Sequence, residues 1–245
     1  MRNFKMTISY DGSRYKGWQK QKDTDLTVQG KLEAVLSKMS GEDVLVVGCD
    51  RMDPGVHAEN YIANFHTKSS FNNDAILYYL YEFLPEDIVV KSIELVDDRF
   101  HARYNVKSET YVYRINTGKY RNVFERKYSY HITEPLDLVE MRNASQSLIG
   151  THDFLSFTNM RSGNKSTVRT IHSVNIFENT NYLEIEVIGD GFLWNMARII
   201  VGTLLEIGRG KLDSTEVEKM LQEKKRWEAG PIAQAKGLFL REVQY

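Results

Sequence analysis

Gly48-Cys49-Asp50-Arg51-Met52-Asp53-Pro54-Gly55-Val56-His57-Ala58 comes directly after an apolar run, Val44-Leu45-Val46-Val47. The run reads as a buried strand, and the Asp53-Pro54-Gly55 segment beyond it reads as a sharp turn. Pro54 fixes its own φ and pushes Asp53 toward an extended backbone, while Gly55 permits the reversal after it. Asp53 is thereby held at a loop apex. Arg51, two residues earlier, can lie on the same side of an extended chain, where a guanidinium would keep the carboxylate ionised and aimed. An ionised, oriented carboxylate at such a place is a candidate nucleophile or base. An isolated Asp-Pro-Gly is more often a plain β-turn with a surface Asp-Arg pair, so the surrounding sequence has to decide.

Outward from this loop, strands and helices alternate with no low-complexity segment or long linker. Phe4, Met6 and Ile8 alternate with Lys5, Thr7 and Ser9 as in a half-buried strand. Val28, Leu32, Val35, Leu36 and Met39 recur at helical spacing between a Thr27 cap and a Gly41 stop. Further strands are predicted over 44–48, 61–66, 88–96, 103–107 and 111–116, with a helix over 74–83. Pro135-Leu136 opens a helix expected to reach Gly150, and residues 168–177 and 182–188 form a hairpin about Glu178-Asn179-Thr180-Asn181. A helix beginning at Gly191, with Phe192, Met196, Ile199, Ile200, Leu204 and Ile207 on one face, closes at Gly208. Asp213-Ser214 caps the last helix. The pattern is α+β: two halves split between Asn116 and Leu136, each a mostly antiparallel sheet packed on helices.

A chain of 245 residues with 42% apolar content can bury one large core or two ordinary ones. The single Cys49 excludes an internal disulfide framework and any cysteine-cluster metal site, and reads as a small core residue. No long uncharged apolar run is present and Met1-Arg2-Asn3-Phe4-Lys5 lacks a signal-peptide core, so no membrane partner and a cytoplasmic location are expected. A net charge of −1 is poor for nucleic acid, yet its distribution matters more than its sum. Arg14, Lys16, Lys20 and Lys22 cluster around Tyr15 and Trp18; Arg161, Lys165 and Arg169 bracket Gly163; Lys219, Lys224, Lys225 and Arg226 are placed on the last helix. Each cluster taken alone is more often a solvated face.

The loop at Asp53 resembles the Arg-Thr-Asp-Ala-Gly-Val-His-Ala signature of the tRNA pseudouridine synthase A family. Four further blocks are similar to the same family: Tyr10-Asp11-Gly12-Ser13 with Tyr15, Gly17-Trp18-Gln19, Gln21 and Thr27-Val28-Gln29; Phe100-His101-Ala102-Arg103-Tyr104 with Thr110-Tyr111-Val112-Tyr113-Arg114-Ile115; Gly191-Phe192-Leu193-Trp194-Asn195-Met196-Ala197-Arg198 with Ile199-Ile200-Val201-Gly202-Thr203-Leu204; and Ala235-Lys236-Gly237-Leu238. The matches run in order over nearly the whole chain. The resemblance implies two ferredoxin-like (RRM-like) halves whose antiparallel sheets join across a central catalytic cleft, with residues 1–116 carrying the Asp loop and the Tyr strand, 117–135 a connection, and 136–245 the second half. It also implies a homodimer and an RNA substrate: uridines in the anticodon stem-loop of tRNA, converted to pseudouridine. Other RNA targets, or RNA binding without catalysis on the same fold, are the alternatives.

That conversion breaks the C1′–N1 bond, turns the uracil and rejoins it through C5. It needs one carboxylate and a base drawn out of its stack onto an aromatic ring, with no metal, redox group or nucleotide cofactor. Carried over by resemblance, Asp53 is the essential carboxylate, Arg51 its partner, and Tyr111 the residue that packs on the target base. Tyr113 shares the face of Tyr111, so one of the two is open to a purely structural reading. Arg198 either reaches the site or holds a helix terminus. Arg14, Lys16 and Lys20 are candidate RNA contacts. His57 and His101 read as hydrogen-bonded structural histidines. The chain departs from the family at Asp50, Met52 and Pro54, where Gly, Thr and Ala are usual, and at Trp194, Ile232 and Gln234.

Overall fold

The computed structural model describes residues 1–160 and 166–245. Arg161, Gly163 and Lys165, in the predicted basic loop, lie outside the described residues. In chain order the elements are β1 (Arg2–Tyr10), α1 (Val28–Ser40), β2 (Val46–Gly48), β3 (His57–Thr67), α2 (Asn73–Phe83), β4 (Ile88–Val96) and β5 (Ser108–Asn116). Next come β6 (Tyr130–His131), α3 (Leu138–Gln146), β7 (Gly150–Asp153), β8 (Val168–Asn179), β9 (Tyr182–Gly189), α4 (Met196–Gly208), α5 (Glu216–Glu223) and β10 (Leu238–Gln244). Backbone contacts divide the chain into two units, Met1–Lys107 with Phe239–Tyr245, and Ser108–Leu238. β5 therefore groups with the second unit, whereas the sequence pattern placed a boundary after Asn116. The reason is its partner: β5 runs alongside β9, with Glu109 opposite Gly189 and Asn116 opposite Tyr182.

In the first unit β1 lies between β4 and β3, antiparallel to both. Phe4, Met6, Ile8 and Tyr10 all point inward, and Phe4 stacks on its cross-strand partner Phe65 at 5.5 Å. Each such side chain contributes about 1.5–3 kcal/mol of burial. The long β3 pairs with β2 through Phe65, Asn64 and Ala63, and runs parallel to β10 at His57 and Ala58. Thr27 caps α1 by accepting from the Gly30 N–H at 3.3 Å, and Gly41 ends it at φ 72°, as the sequence predicts.

The strand expected over 103–107 is absent. Hydrogen bonds from side chains hold residues 97–105 as turns: Asn64 Oδ1 accepts from Ala102 N–H at 2.9 Å, Asn105 Oδ1 from His101 N–H at 2.7 Å, and His101 Nδ1 from Arg103 N–H at 3.2 Å. Asn3 adds donations to the Asp97 and Phe100 carbonyls. These bonds satisfy the backbone without a neighbouring strand.

In the second unit β9 is flanked by β5 and β8, and β7 adds to β8, all antiparallel; β6 runs parallel to the end of β5. α3 is shorter than the predicted helix, because Asp137 caps it at Val139 and Glu140 and the chain turns at Ser147 before Gly150, whose φ of 110° suits only glycine. α4 starts at Met196, not Gly191, after Asn195 in a left-handed conformation. Phe192 consequently lies outside the helical face assigned to it. α4 is buried nearly all round. The chain at residues 229–233 crosses it so closely that a Cβ on Gly202 would lie 1.8 Å from the Pro231 carbonyl oxygen.

The Tyr10 hydroxyl is buried and finds no hydrogen-bond partner among the described residues. Burial, with Cys49 and Asp50 nearby, pushes its pKa well above the ordinary phenol value, so it is neutral throughout the physiological range. Tyr10→Phe keeps the ring and removes an unsatisfied polar atom, and should raise the unfolding free energy in urea by about 1 kcal/mol. A clear loss of stability would show that the hydroxyl is satisfied in solution.

Candidate active site

The Asp53 turn is built against an aromatic floor. Trp18 and Tyr61, both fully buried, stack at 4.0 Å, and Tyr10 closes the cluster. Gly48 passes over them with no room for a side chain: a Cβ would lie 2.0 Å from the Tyr61 hydroxyl. That hydroxyl donates to the Asp50 carbonyl, and the Trp18 backbone N–H donates to the Met52 carbonyl at 3.1 Å. Met52 is buried between these anchors.

Val56 N–H then donates to the Asp53 carbonyl at 3.2 Å, closing a turn with Pro54 and Gly55 at its centre. Gly55 has φ 80°, the value the third position of a type II turn demands. Two other glycines clamp the turn from outside. A Cβ on Gly12 would meet the Val56 carbonyl oxygen at 1.9 Å, and one on Gly17 would meet the Met52 carbonyl oxygen at 2.6 Å. Asp53 stands at the first corner of this turn, half-buried.

His57, at the start of β3, is structural. Its ring is buried and stacked on Phe239 at 4.7 Å, and its Nδ1 accepts from Gly12 N–H at 3.0 Å. That donation leaves the neutral ring's proton on Nε2. Asp11, 3.2 Å from the same nitrogen, accepts from Ser13 N–H at 2.8 Å and holds the preceding turn. His101 likewise serves its own turn, and burial, with Arg103 adjacent, lowers its pKa.

The expected Arg51–Asp53 ion pair is not formed. Arg51 is exposed, its N–H is bound to Asp50 Oδ1 at 2.7 Å, and its guanidinium makes no ion pair among the described residues. The basic residues ahead of α1 differ from one another. Arg14 grips Asp87 with two nitrogens, at 2.5 and 3.0 Å, and Tyr15 adds a hydroxyl at 2.6 Å. Burial and the Asp87 contact push the Tyr15 phenol up to about 12. Lys20 pairs with the buried Glu33 at 2.9 Å. Lys16 is exposed and carries no ion pair among the described residues.

In the second unit Tyr111 lies on β5 opposite Val187, 4% exposed, with the Phe192 ring edge-on at 4.8 Å. Tyr113 is fully buried and its hydroxyl donates to the Gln234 carbonyl at 2.9 Å. Arg198, in the first turn of α4, donates to the Ala233 carbonyl at 2.8 Å and to Asn195 Oδ1 at 3.0 Å. It ties the start of α4 to the chain crossing above it. Phe192 is a neighbour of Tyr111 that sequence pattern placed on a helix, because its spacing matched a helix that starts four residues later.

The predicted third basic cluster dissolves into local pairs. Lys219 alone lies within α5, and Lys224 and Lys225 pair with Asp153 and Glu223, each at 2.8 Å. Arg226 donates to Asn159 Oδ1 and the Gly230 carbonyl. Among the described residues no group of three or more His, Cys, Asp or Glu side chains is placed to hold a metal ion, and no helix is long and apolar enough to cross a membrane.

A family model described as tRNA pseudouridine synthase matches residues 6–105 and 144–245. The chain belongs to that family. Over its full length, and the full length of each relative, it is 59% identical to tRNA pseudouridine synthase A 1 of Clostridium tetani and 44% identical to tRNA pseudouridine synthase A 2 of Bacillus cereus. A solved chain in a Cbf5-Nop10-Gar1 complex aligns over 82% of this chain and 45% of its own, at 11% identity and a TM-score of 0.36, too slight a likeness to bear on the site. The family places this chain among isomerases acting on RNA, and both matched segments carry candidate residues: Asp53 in the first, Arg198 in the second.

Gly12→Ala should drive a methyl group into the Val56 carbonyl and cost about 1–3 kcal/mol in urea unfolding. Gly41→Ala has open space around it but a left-handed backbone, and should cost no more than about 1 kcal/mol. Equal costs would mean that the close approach to the turn is not tight in solution.

Proposed function

We propose that this protein is a tRNA pseudouridine synthase that isomerises uridine in the anticodon stem-loop of tRNAs, with Asp53 as the essential carboxylate. The observation that carries the reading is a full-length match, at 59% identity, to a relative named tRNA pseudouridine synthase A, combined with an aspartate fixed at the corner of a doubly clamped turn. The reaction breaks C1′–N1, forms C1′–C5, releases the C5 proton and leaves N1 protonated. Atoms and electrons balance within the nucleotide, so the chemistry calls for neither an oxidant nor a nucleotide cofactor. Asp53 supplies the carboxylate as nucleophile toward sugar or base, or as proton acceptor, and each role requires it ionised and aimed.

The target base must leave its stack before any of this, and Tyr111 offers the ring on which it packs. The Phe192 ring packs edge-on against it at 4.8 Å. Arg51 and Lys16, exposed and without ion-pair partners among the described residues, meet phosphates; Arg14 and Lys20 do so only by sharing or releasing Asp87 and Glu33. Arg198 acts as a positioning residue that holds the start of α4 against residues 229–233, within the unit that carries Tyr111. The enzyme works as a homodimer, a reading supported by the family resemblance, and in the cytoplasm, a reducing compartment that suits a free, buried Cys49.

Asp53→Asn keeps the size and removes the charge, so it should abolish tritium release from C5-labelled uridine tRNA while tRNA affinity stays nearly unchanged. Asp50→Asn should retain activity, since that side chain caps a backbone N–H; loss there and not at Asp53 would transfer the role. Tyr111→Phe should keep binding, whereas Tyr111→Ala should weaken the productive complex by about 1–3 kcal/mol, the worth of one base–aromatic stack. Tyr113→Phe should lower the unfolding free energy by about 1 kcal/mol through its lost Gln234 bond and leave turnover intact. Identical behaviour of the two tyrosines would return Tyr111 to the core.

A further inference from the structure

The sequence between β5 and β6 contains Lys119-Tyr120-Arg121-Asn122-Val123-Phe124-Glu125-Arg126-Lys127, four cations and two aromatics with one acidic residue. Sequence pattern treats it as a connection. In the structure Tyr120 is 78% exposed and Phe124 84% exposed, and among the described residues neither ring packs on another. Lys119 Nζ lies 5.4 Å from the Tyr120 ring centre. Lys119 and Arg121 form no ion pair among the described residues.

This display is built, not slack. Thr117 N–H donates to the Asn181 carbonyl at 2.9 Å and Gly118 N–H to Asn116 Oδ1 at 3.0 Å, which fixes the entry. Asn122 is the central brace: its Oδ1 accepts from Phe124 N–H at 3.0 Å and its Nδ2 donates to the Tyr182 hydroxyl at 3.0 Å. Tyr128 N–H and the Ser129 hydroxyl both donate to the Glu125 carbonyl, and β6 pairs with β5 to fix the exit. Folding therefore holds two large rings in water, an unfavourable arrangement that a binding surface explains. The charge selects the partner. Lys119 and Arg121, without ion-pair partners among the described residues and set beside the two rings, complement a polyanion.

We propose that the loop at residues 117–127 is an RNA-contact surface, in which Tyr120 and Phe124 stack on unpaired bases of the tRNA and Lys119 and Arg121 bind its phosphates. The proposal rests on the reading of the chain as a tRNA-modifying enzyme and adds a contact carried by the unit that lacks Asp53. The bases must be unpaired, since a duplex hides their faces while a loop or splayed strand offers them. The surface grips and orients the substrate and takes no part in bond making.

The test measures binding of an unmodified tRNA transcript, a single-stranded oligouridylate and a blunt RNA duplex, with single-turnover pseudouridine formation at saturating tRNA. Tyr120→Leu with Phe124→Leu keeps apolar bulk and removes the ring faces; it should weaken tRNA and oligouridylate binding by about tenfold to a hundredfold, leave duplex binding unchanged, and leave the saturated rate unchanged. Tyr120→Phe with Phe124→Tyr should retain affinity. Lys119→Gln with Arg121→Gln should weaken all three RNAs and flatten the plot of log affinity against log salt by about 0.7–0.9 per charge. Unaltered affinity in folded leucine variants overturns the proposal, as does their dissociation into smaller species in sedimentation, which would make the loop an interface between copies. A wild-type protein that binds tRNA and forms no pseudouridine would sink the catalytic reading alone.

Discussion

The backbone of residues 11–18 lies against the Asp53 turn with no side chain between them, and the shape of that turn depends on the contact. Gly12 touches the Val56 carbonyl and Gly17 the Met52 carbonyl at distances only glycine permits, so the two segments fix each other. Trp18 then serves twice: its backbone N–H binds Met52, and its ring stacks on Tyr61, whose hydroxyl binds Asp50. The turn therefore has a buried anchor on each side of Arg51. The backbone at Asp53 is therefore held in place before any ligand arrives.

The alternation of β1, the Thr27 and Gly41 limits of α1 and the Asp53 turn were legible because each rests on local chemistry: period, cap and proline-glycine geometry. The misjudged elements share another cause. Residues 103–107 have strand-like composition, yet Asn64 and Asn3, distant in sequence, supply the bonds that hold the neighbouring backbone in turns. Phe192 falls at helical spacing from Met196, yet the left-handed Asn195 delays the helix and leaves the ring to Tyr111. The hold of Arg198 on the chain at residues 229–233 depends on a crossing of α4 whose local signs are Gly202 and Gly230. The tight contacts of those glycines, with Pro231 and Thr203, are tertiary facts. The candidate residues were named by resemblance, while neighbours such as Phe192 became visible only in the fold.

Charge clusters in a sequence overstate the charge that a folded protein presents. Arg14, Lys20, Lys224 and Lys225 each have a carboxylate within 3 Å, and Arg226 is tied to carbonyls and Asn159. These pairs lie partly in solvent and contribute little stability each, but a paired cation offers less to a phosphate than an unpaired one. In a chain of net charge −1, Arg51, Lys16, Lys119 and Arg121 are cations that form no ion pair among the described residues. Lys119 and Arg121 occur together with the exposed Tyr120 and Phe124 rings at residues 119–124.

The departures from the family signature around Asp53 fit the same geometry. Pro54 removes an N–H, but in this turn the bond is made by Val56 N–H to the Asp53 carbonyl, and the second position donates nothing within it. Its ring instead presets the φ the turn needs and restricts the unfolded chain, an effect worth about 0.4–1 kcal/mol where the geometry is compatible. Met52 replaces a hydroxyl with a buried thioether packed between anchored neighbours, and Asp50 binds the N–H of Arg51. All three substitutions bear on how the loop is held, and Asp53 keeps its place at the corner. Divergence at these positions is therefore compatible with unchanged chemistry, because the turn's shape is set from outside by Gly12, Gly17 and Trp18.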